Sequence, residues 1–191
     1  ILMIYSLTLL WLEWQFSQPV LRYYVTDIHG PVLFYGINTT LSTFLLWAIA
    51  LIFVICLHCL EPGAQKQYLF YVSQIIMFIY LGIDERFLIH ETIGQWLGRN
   101  DAYLLLGLGL IEASLLIILG QLWQQSLKAL YFLGGAGVLF TIMVLIDAFL
   151  PAQMLWRLAV EELTKLWADI LLFLFAWEIL QQHLTLLQTK H

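Results

Sequence analysis

Charge is what this chain has least of. Only 11% of its 191 residues are charged, and 62% are hydrophobic. A soluble domain carries about a quarter charged residues. The deficit excludes an ordinary water-exposed surface, and lipid is the solvent that fits such a composition. Bases are scarcer than acids, 8 Lys and Arg against 13 Asp and Glu, for a formal charge of −5. With no basic stripe, nucleic acid is excluded as a partner. Two cysteines cannot build a disulfide framework. A Gly-rich phosphate loop, a G-x-S-x-G elbow and an H-E-x-x-H helix are all missing, which removes the motif-based routes to nucleotide binding, serine hydrolysis and zinc proteolysis. No signal-peptide pattern with a small-residue cleavage site is present. The chain opens on Ile1, as expected of a processed, truncated or incompletely known sequence.

What the sequence does have is long apolar runs. Each membrane crossing needs about 20 residues, so the expectation is an all-α polytopic integral membrane bundle. It has five or six transmembrane helices in one domain, residues 1–191, in contact with the lipid bilayer. Residues 1–14 are apolar but short for a crossing. Residues 15–35 hold Pro19, Arg22, Asp27, His29, Gly30 and Pro31 and read as an interfacial connection, a short helix lying flat. Asn38-Thr39-Thr40 matches a glycosylation sequon but sits against the next span and reads as unmodified. Further spans are expected at 41–60, ended by Glu61-Pro62-Gly63, and at 68–93, 102–122 and 129–150, the last stopped by Pro151. The loop 94–101 carries Trp96 as an interface anchor, and 124–128 forms a short turn. Residues 152–184 make one long helical pattern, long enough to tilt or project. Gly109 with Ala113, and the Gly134, Gly135 and Gly137 cluster, mark close helix approach.

The strongest departure from apolarity is the stretch 82–91, Gly-Ile-Asp-Glu-Arg-Phe-Leu-Ile-His-Glu, at the far end of the span 68–93. Ionisable groups persist at such a depth only when paired, hydrated or functional. At about 100° per residue, Asp84 and Glu91 fall about 20° apart on one face, Arg86 and His90 share another, and Glu85 stands between. The last helix answers with Glu161, Glu162, Lys165 and Asp169, where Lys165 can pair along its own helix. Asp147 ends its span at a similar depth, and Glu112 lies alone in mid-span. Alternating spans gather Asp84, Glu85, Glu91, Asp147, Glu161 and Glu162 on one side and Lys66, Lys128 and Lys190 on the other. If Arg86 and Arg157 are taken up in ion pairs, the lysine side is cytoplasmic and the acid cluster non-cytoplasmic. Two readings stay open. In one, the acids bind a cation, a proton or a divalent metal, with Asp84, His90, Glu91 and Glu162 as the candidate metal ligands. In the other, Arg86, Arg157, Lys165 and His90 neutralise the acids and clasp the helices in register. The Glu-x-x-His spacing of di-iron bundles is not present.

Asp84-Glu85-x4-His90-Glu91 at one span's end, with Glu161-Glu162 opening the last, resembles a group of uncharacterised bacterial multi-span membrane proteins. Those carry a DE-x4-HE motif and a later EE-x2-E motif. The likeness covers residues 68–184 and implies an inner or intracytoplasmic bacterial membrane, a fold and a candidate site, but no activity. Lys165 stands where the last acid of the second motif belongs, a departure by which a built-in ammonium could replace a bound cation and which counts against a metal site. Similarity to the alkaline ceramidase superfamily is weaker, since its histidines on separate spans are not matched.

Cys56-Leu57-His58-Cys59 is a second candidate constellation, with His183 at a similar depth, and reads as buried reduced thiols. The spacing is not that of C-x-x-C-H haem attachment, and His58 and His183 are weak axial haem ligands. The abundant aromatics read as interface anchors and lipid-facing bulk, with pigment or quinone contact as a lesser reading. The functional expectation is therefore a cation-binding membrane protein; the alternative is a non-catalytic subunit among other membrane subunits, with the acids as a clasp.

Overall fold

The structure, a computed structural model, describes residues 2–16, 36–61, 63–98, 100–151 and 153–188. Among these every regular element is helical. The elements are α1 (Leu2–Phe16), α2 (Ile37–His58), α3 (Gln65–Phe87), α4 (Ile89–Leu97), α5 (Ala102–Leu119), a 3₁₀ turn (Leu122–Gln124), α6 (Leu127–Phe149) and α7 (Arg157–Gln188). Four of them, α2, α3, α5 and α6, are long and apolar enough to cross a membrane. The expected interfacial connection lies, from residue 17 to 35, outside the described residues, as does Pro62 of the expected turn.

Local chemistry sets the boundaries. α2 starts four residues before the expected 41, because Gly36 takes the left-handed conformation (φ 60°) and its carbonyl accepts from the Thr40 hydroxyl at 2.8 Å. Asn100 Oδ1 accepts from the Ala102 N–H at 2.9 Å and opens α5. Ser126 caps α6 by accepting from the Ala129 N–H at 3.1 Å. Pro151 follows the last residues of α6 and cannot continue them.

α7 is the centre of the bundle. It packs along α6 and α2, α3 packs on α2, α5 bridges α3 and α6, and α1 lies against the first half of α7. In lipid, helices associate through close packing rather than through expulsion from water. Phe53 shows this: its ring lies 5.8–6.1 Å from those of Phe70, Tyr71 and Phe78, beside Phe175 and Ile179 of α7. Gly82 lets α2 and α3 approach: a Cβ there would stand 2.2 Å from the Trp47 indole nitrogen. Gly109 does the same for Phe140 of α6, and Gly135 for Leu171 of α7. Outward-facing Leu110, Ile117, Ile118, Tyr131 and Val138 give α5 and α6 an apolar face compatible with lipid.

The expected continuous span 68–93 is corrected. The helix breaks at Leu88, which sits in the left-handed region at φ 52°, ψ 44°. That conformation costs roughly 1–2 kcal/mol for a residue with a Cβ. The break turns α4 back toward the bundle, so the helical-wheel placement of His90 and Glu91 relative to Asp84 and Arg86 does not apply.

Candidate functional site

The charged ends of α3, α4, α6 and α7 enclose a cavity of about 360 Å³, completed by the polar start of α2. Its wall carries the carboxylates of Asp84, Glu85, Glu91, Asp101, Asp147, Glu161, Glu162 and Asp169, with Arg157, Lys165 and His90 among them. Every residue of the sequence-derived cluster is therefore on the wall except Arg86, which is exposed. On the wall itself the strong bases are Lys165 and Arg157.

Lys165 Nζ lies 2.9 Å from Glu85 of α3 and 3.0 Å from Glu162 of its own helix. It thus pairs along α7, as expected, through Glu162 rather than Glu161 or Asp169, and also joins α7 to α3 across the bundle. Glu162 Oε2 also accepts from the Asn38 amide at 2.6 Å. Asp169 accepts from the Ser42 hydroxyl at 2.5 Å. Arg157 holds Asp147 at 2.6 Å and Glu161 at 3.5 Å, tying α6 to the first turn of α7. Asp84 is used twice by one partner. Its Oδ1 accepts from the His90 backbone N–H at 2.8 Å, and its Oδ2 lies 2.7 Å from His90 Nδ1. The turn at Leu88 is what brings both His90 nitrogens back onto Asp84.

His90, Glu91 and Asp101 stand at the mouth, each half-buried, with one donor atom apiece within 4.8 Å of one another. Burial disfavours the His90 cation, but the hydrogen bond and charge of Asp84, with the charges of Glu91 and Asp101, raise the imidazole above its ordinary 6.5. Burial also pushes the Glu91 carboxyl up; His90 and Lys165 oppose this, while Asp101 and Asp147 add to it. Of the four expected metal ligands, His90 and Glu91 lie in this donor group. Asp84 stands behind His90, and Glu162 is deeper, on Lys165 and Asn38.

Sequence reasoning missed Asp101, Asn38, Ser42 and Glu13. Asp101 sat in what read as a plain polar loop. Asn38 read as part of a sequon, yet it is fully buried against Glu162. Glu13, 1% exposed, reaches from α1 to accept from the N–H groups of Trp156 at 3.1 Å and Ala159 at 3.3 Å. It caps α7 from another helix, because the position before Arg157 is Trp156, which offers no capping oxygen and is itself left-handed at φ 71°. A run of small polar residues, Asn38, Thr39, Ser42 and Thr43, spaced on one face of an apolar helix, was the signal available for α2.

The Cys56/Cys59 constellation resolves into free thiols, Cys56 buried. His58 Nδ1 lies 2.9 Å from the Val54 carbonyl, and His183 Nε2 is hydrogen-bonded with the Tyr71 hydroxyl. Glu112 lies beside Gln74 of α3, away from the cavity.

Comparison with curated proteins finds no match, and comparison with solved structures finds none either. The profile of one family, the domain of unknown function DUF8692, matches residues 1–179, and the chain belongs to that family.

Proposed function

We propose that the protein is an integral membrane protein that binds a cation, a divalent metal or a proton, in the acidic cavity at one membrane face. The observation that carries this reading is the charge balance of the wall. Its two strong bases are each shared between two acids, Lys165 by Glu85 and Glu162 and Arg157 by Asp147 and Glu161. Glu91 and Asp101 are left to an imidazole and to whatever the cavity admits. Hard and borderline cations suit such a donor set.

In this reading α2, α3, α5 and α6 cross the bilayer and α7 is a fifth span. Its 32 residues extend about 48 Å, more than the roughly 30 Å hydrocarbon core. The 15 residues of α1 reach about 22 Å and fall short. Lys66 and Lys128 lie at the helix ends opposite the cavity, which supports a non-cytoplasmic acid cluster in a bacterial inner membrane. The second reading, a non-catalytic subunit of a larger assembly, is favoured by the same ion pairs taken as a clasp.

The paired substitution Asp84→Asn with Glu91→Gln separates the two. A bound cation at 100 times its Kd stabilises a protein by about 2.7 kcal/mol. The cation reading predicts that divalent ions raise the thermal midpoint of the parent in mild detergent and that the double variant loses this response. A parent indifferent to magnesium, calcium, manganese and zinc, with a double variant merely less stable, removes the metal form and leaves the clasp, with the proton form standing only on a pH-dependent activity.

A further inference from the structure

We propose that His90, Glu91 and Asp101 form the ligand set of a first-row divalent transition metal, zinc or manganese, at the mouth of the cavity. This rests on the cation reading and narrows it to three side chains and one class of ion.

The geometry is that of a site needing little adjustment. The three donor atoms lie within 4.8 Å of one another. Ligands at the usual 2.0–2.2 Å from one ion stand about 3–4 Å apart, a closure that rotation of half-buried side chains supplies. Asp84 Oδ2, 2.7 Å from His90 Nδ1, favours the tautomer in which Nδ1–H donates to the carboxylate, and in this proposal Nε2 supplies the lone pair for the metal. A carboxylate behind a ligating imidazole both aims the ring and increases its basicity. Since both Asp84 oxygens serve His90, Asp84 supports the site and does not ligate.

Both anchors are held by backbone. Leu88, left-handed, starts α4 and places His90 and Glu91 on its first turn, with the His90 N–H fixed to Asp84. Asn100 holds the Ala102 N–H and fixes the turn that carries Asp101. The ligands therefore come from two elements set by short-range contacts, as a preorganised site requires. An imidazole nitrogen tips the preference away from magnesium and calcium, which take all-oxygen shells, and toward the first-row transition ions. Three protein ligands leave coordination positions free, and these open on the cavity.

The test is calorimetric titration of zinc chloride into full-length protein stripped with a chelator in mild detergent. The parent should take up about one ion per chain. Asp101→Asn and His90→Asn should each weaken binding about tenfold or more, and Asp84→Asn about 10–100-fold. Glu178→Gln, paired with Lys128 at 2.8 Å and off the cavity wall, should leave affinity within about threefold. Asp101 is half-buried and its carboxylate makes no hydrogen bond or ion pair among the described residues, so Asp101→Asn keeps the test valid if His90→Asn does not fold. Cobalt(II) gives a second readout through a visible spectrum that changes when His90 is replaced. Zinc binding unaltered by Asp101→Asn, or calcium bound more tightly than zinc, overturns this ligand set and leaves the cation reading standing. No uptake of any divalent ion overturns the ligand set and the metal form of that reading together.

Discussion

Lys165 ties α3 to α7 through two carboxylates. Its ammonium satisfies two carboxylates, Glu85 and Glu162, that are 9% and 7% exposed. Lys165→Met keeps much of the side chain's bulk and removes the cation, leaving two buried acids facing each other. Breaking a buried pair costs about 3–5 kcal/mol in soluble proteins. In lipid the unfolded helices also find partners, so a loss of about 3 kcal/mol or less is expected, read as a lowered thermal midpoint in detergent. A midpoint equal to the parent's would mean that Lys165 is solvated and that α3 and α7 are not joined through it.

His90 and Glu91 make a separate, pH-dependent contribution in metal-free protein. His90 faces Asp84 of α3, Glu91 of α4, Asp101 before α5 and, more distantly, Asp147 of α6; Lys165 of α7 faces Glu91. Both groups are raised in the fold, so the folded protein binds more protons than the unfolded chain. Stability from them is then fully present below their ordinary values, 4.5 for Glu91 and 6.5 for His90, and is lost as pH rises through the raised ones. With chelator present, the thermal midpoint should fall as pH rises past about 6.5, and His90→Asn should flatten that part of the curve. A midpoint that climbs over the same range would contradict the assignment.

At the scale of elements, α1 acts as a brace for α7. Glu13 supplies the capping oxygens that Trp156 cannot, at the helix end that presents Arg157 and Glu161 to the cavity. A carboxylate there also complements the helix dipole. Losing a cap costs about 0.5–2 kcal/mol. Glu13→Ala should fall in that range, and Glu13→Gln, which still accepts hydrogen bonds, should recover most of it. Equal loss in both would assign Glu13's effect to charge alone.

The elements also mark where the sequence was legible. Long apolar runs located α2, α3, α5 and α6 because lipid imposes length and composition on a crossing. The clustering of Asp84, Glu85, Glu161 and Glu162 followed from alternating spans. The break at Leu88 had no Gly, Pro or Asn to announce it; the contacts of His90 with Asp84 hold a leucine left-handed, and those contacts exist only in the fold. Partners such as Asn38, Ser42 and Glu13 are ordinary in sequence and gain meaning only from the helix set against them. The pairing of Lys165 along its own helix was legible, because i to i+3 and i+4 spacing is visible in a sequence, and Glu162 bears it out; its second partner, Glu85 on another helix, was not.

For the whole molecule, most of the charge lies at one end of the bundle, and the rest is mainly packed rings and aliphatics, with isolated polar contacts such as Lys128 with Glu178 and Gln74 beside Glu112. Asp84, Asp101, Asp147 and Glu161 arrive there from separate helices through the up-and-down course of the chain. Lys165 and Arg157, the strong bases on the cavity wall, are fewer than its acids and already paired, so the wall's formal surplus is negative, which is the ground for the proposed cation. The most direct measurement is elemental analysis of protein purified from membranes in mild detergent without chelator, followed by dialysis against zinc or manganese. About one first-row divalent ion per chain, removable by chelator and restored by dialysis, is the predicted result. Protein that carries no metal as purified and takes up none on dialysis would contradict it.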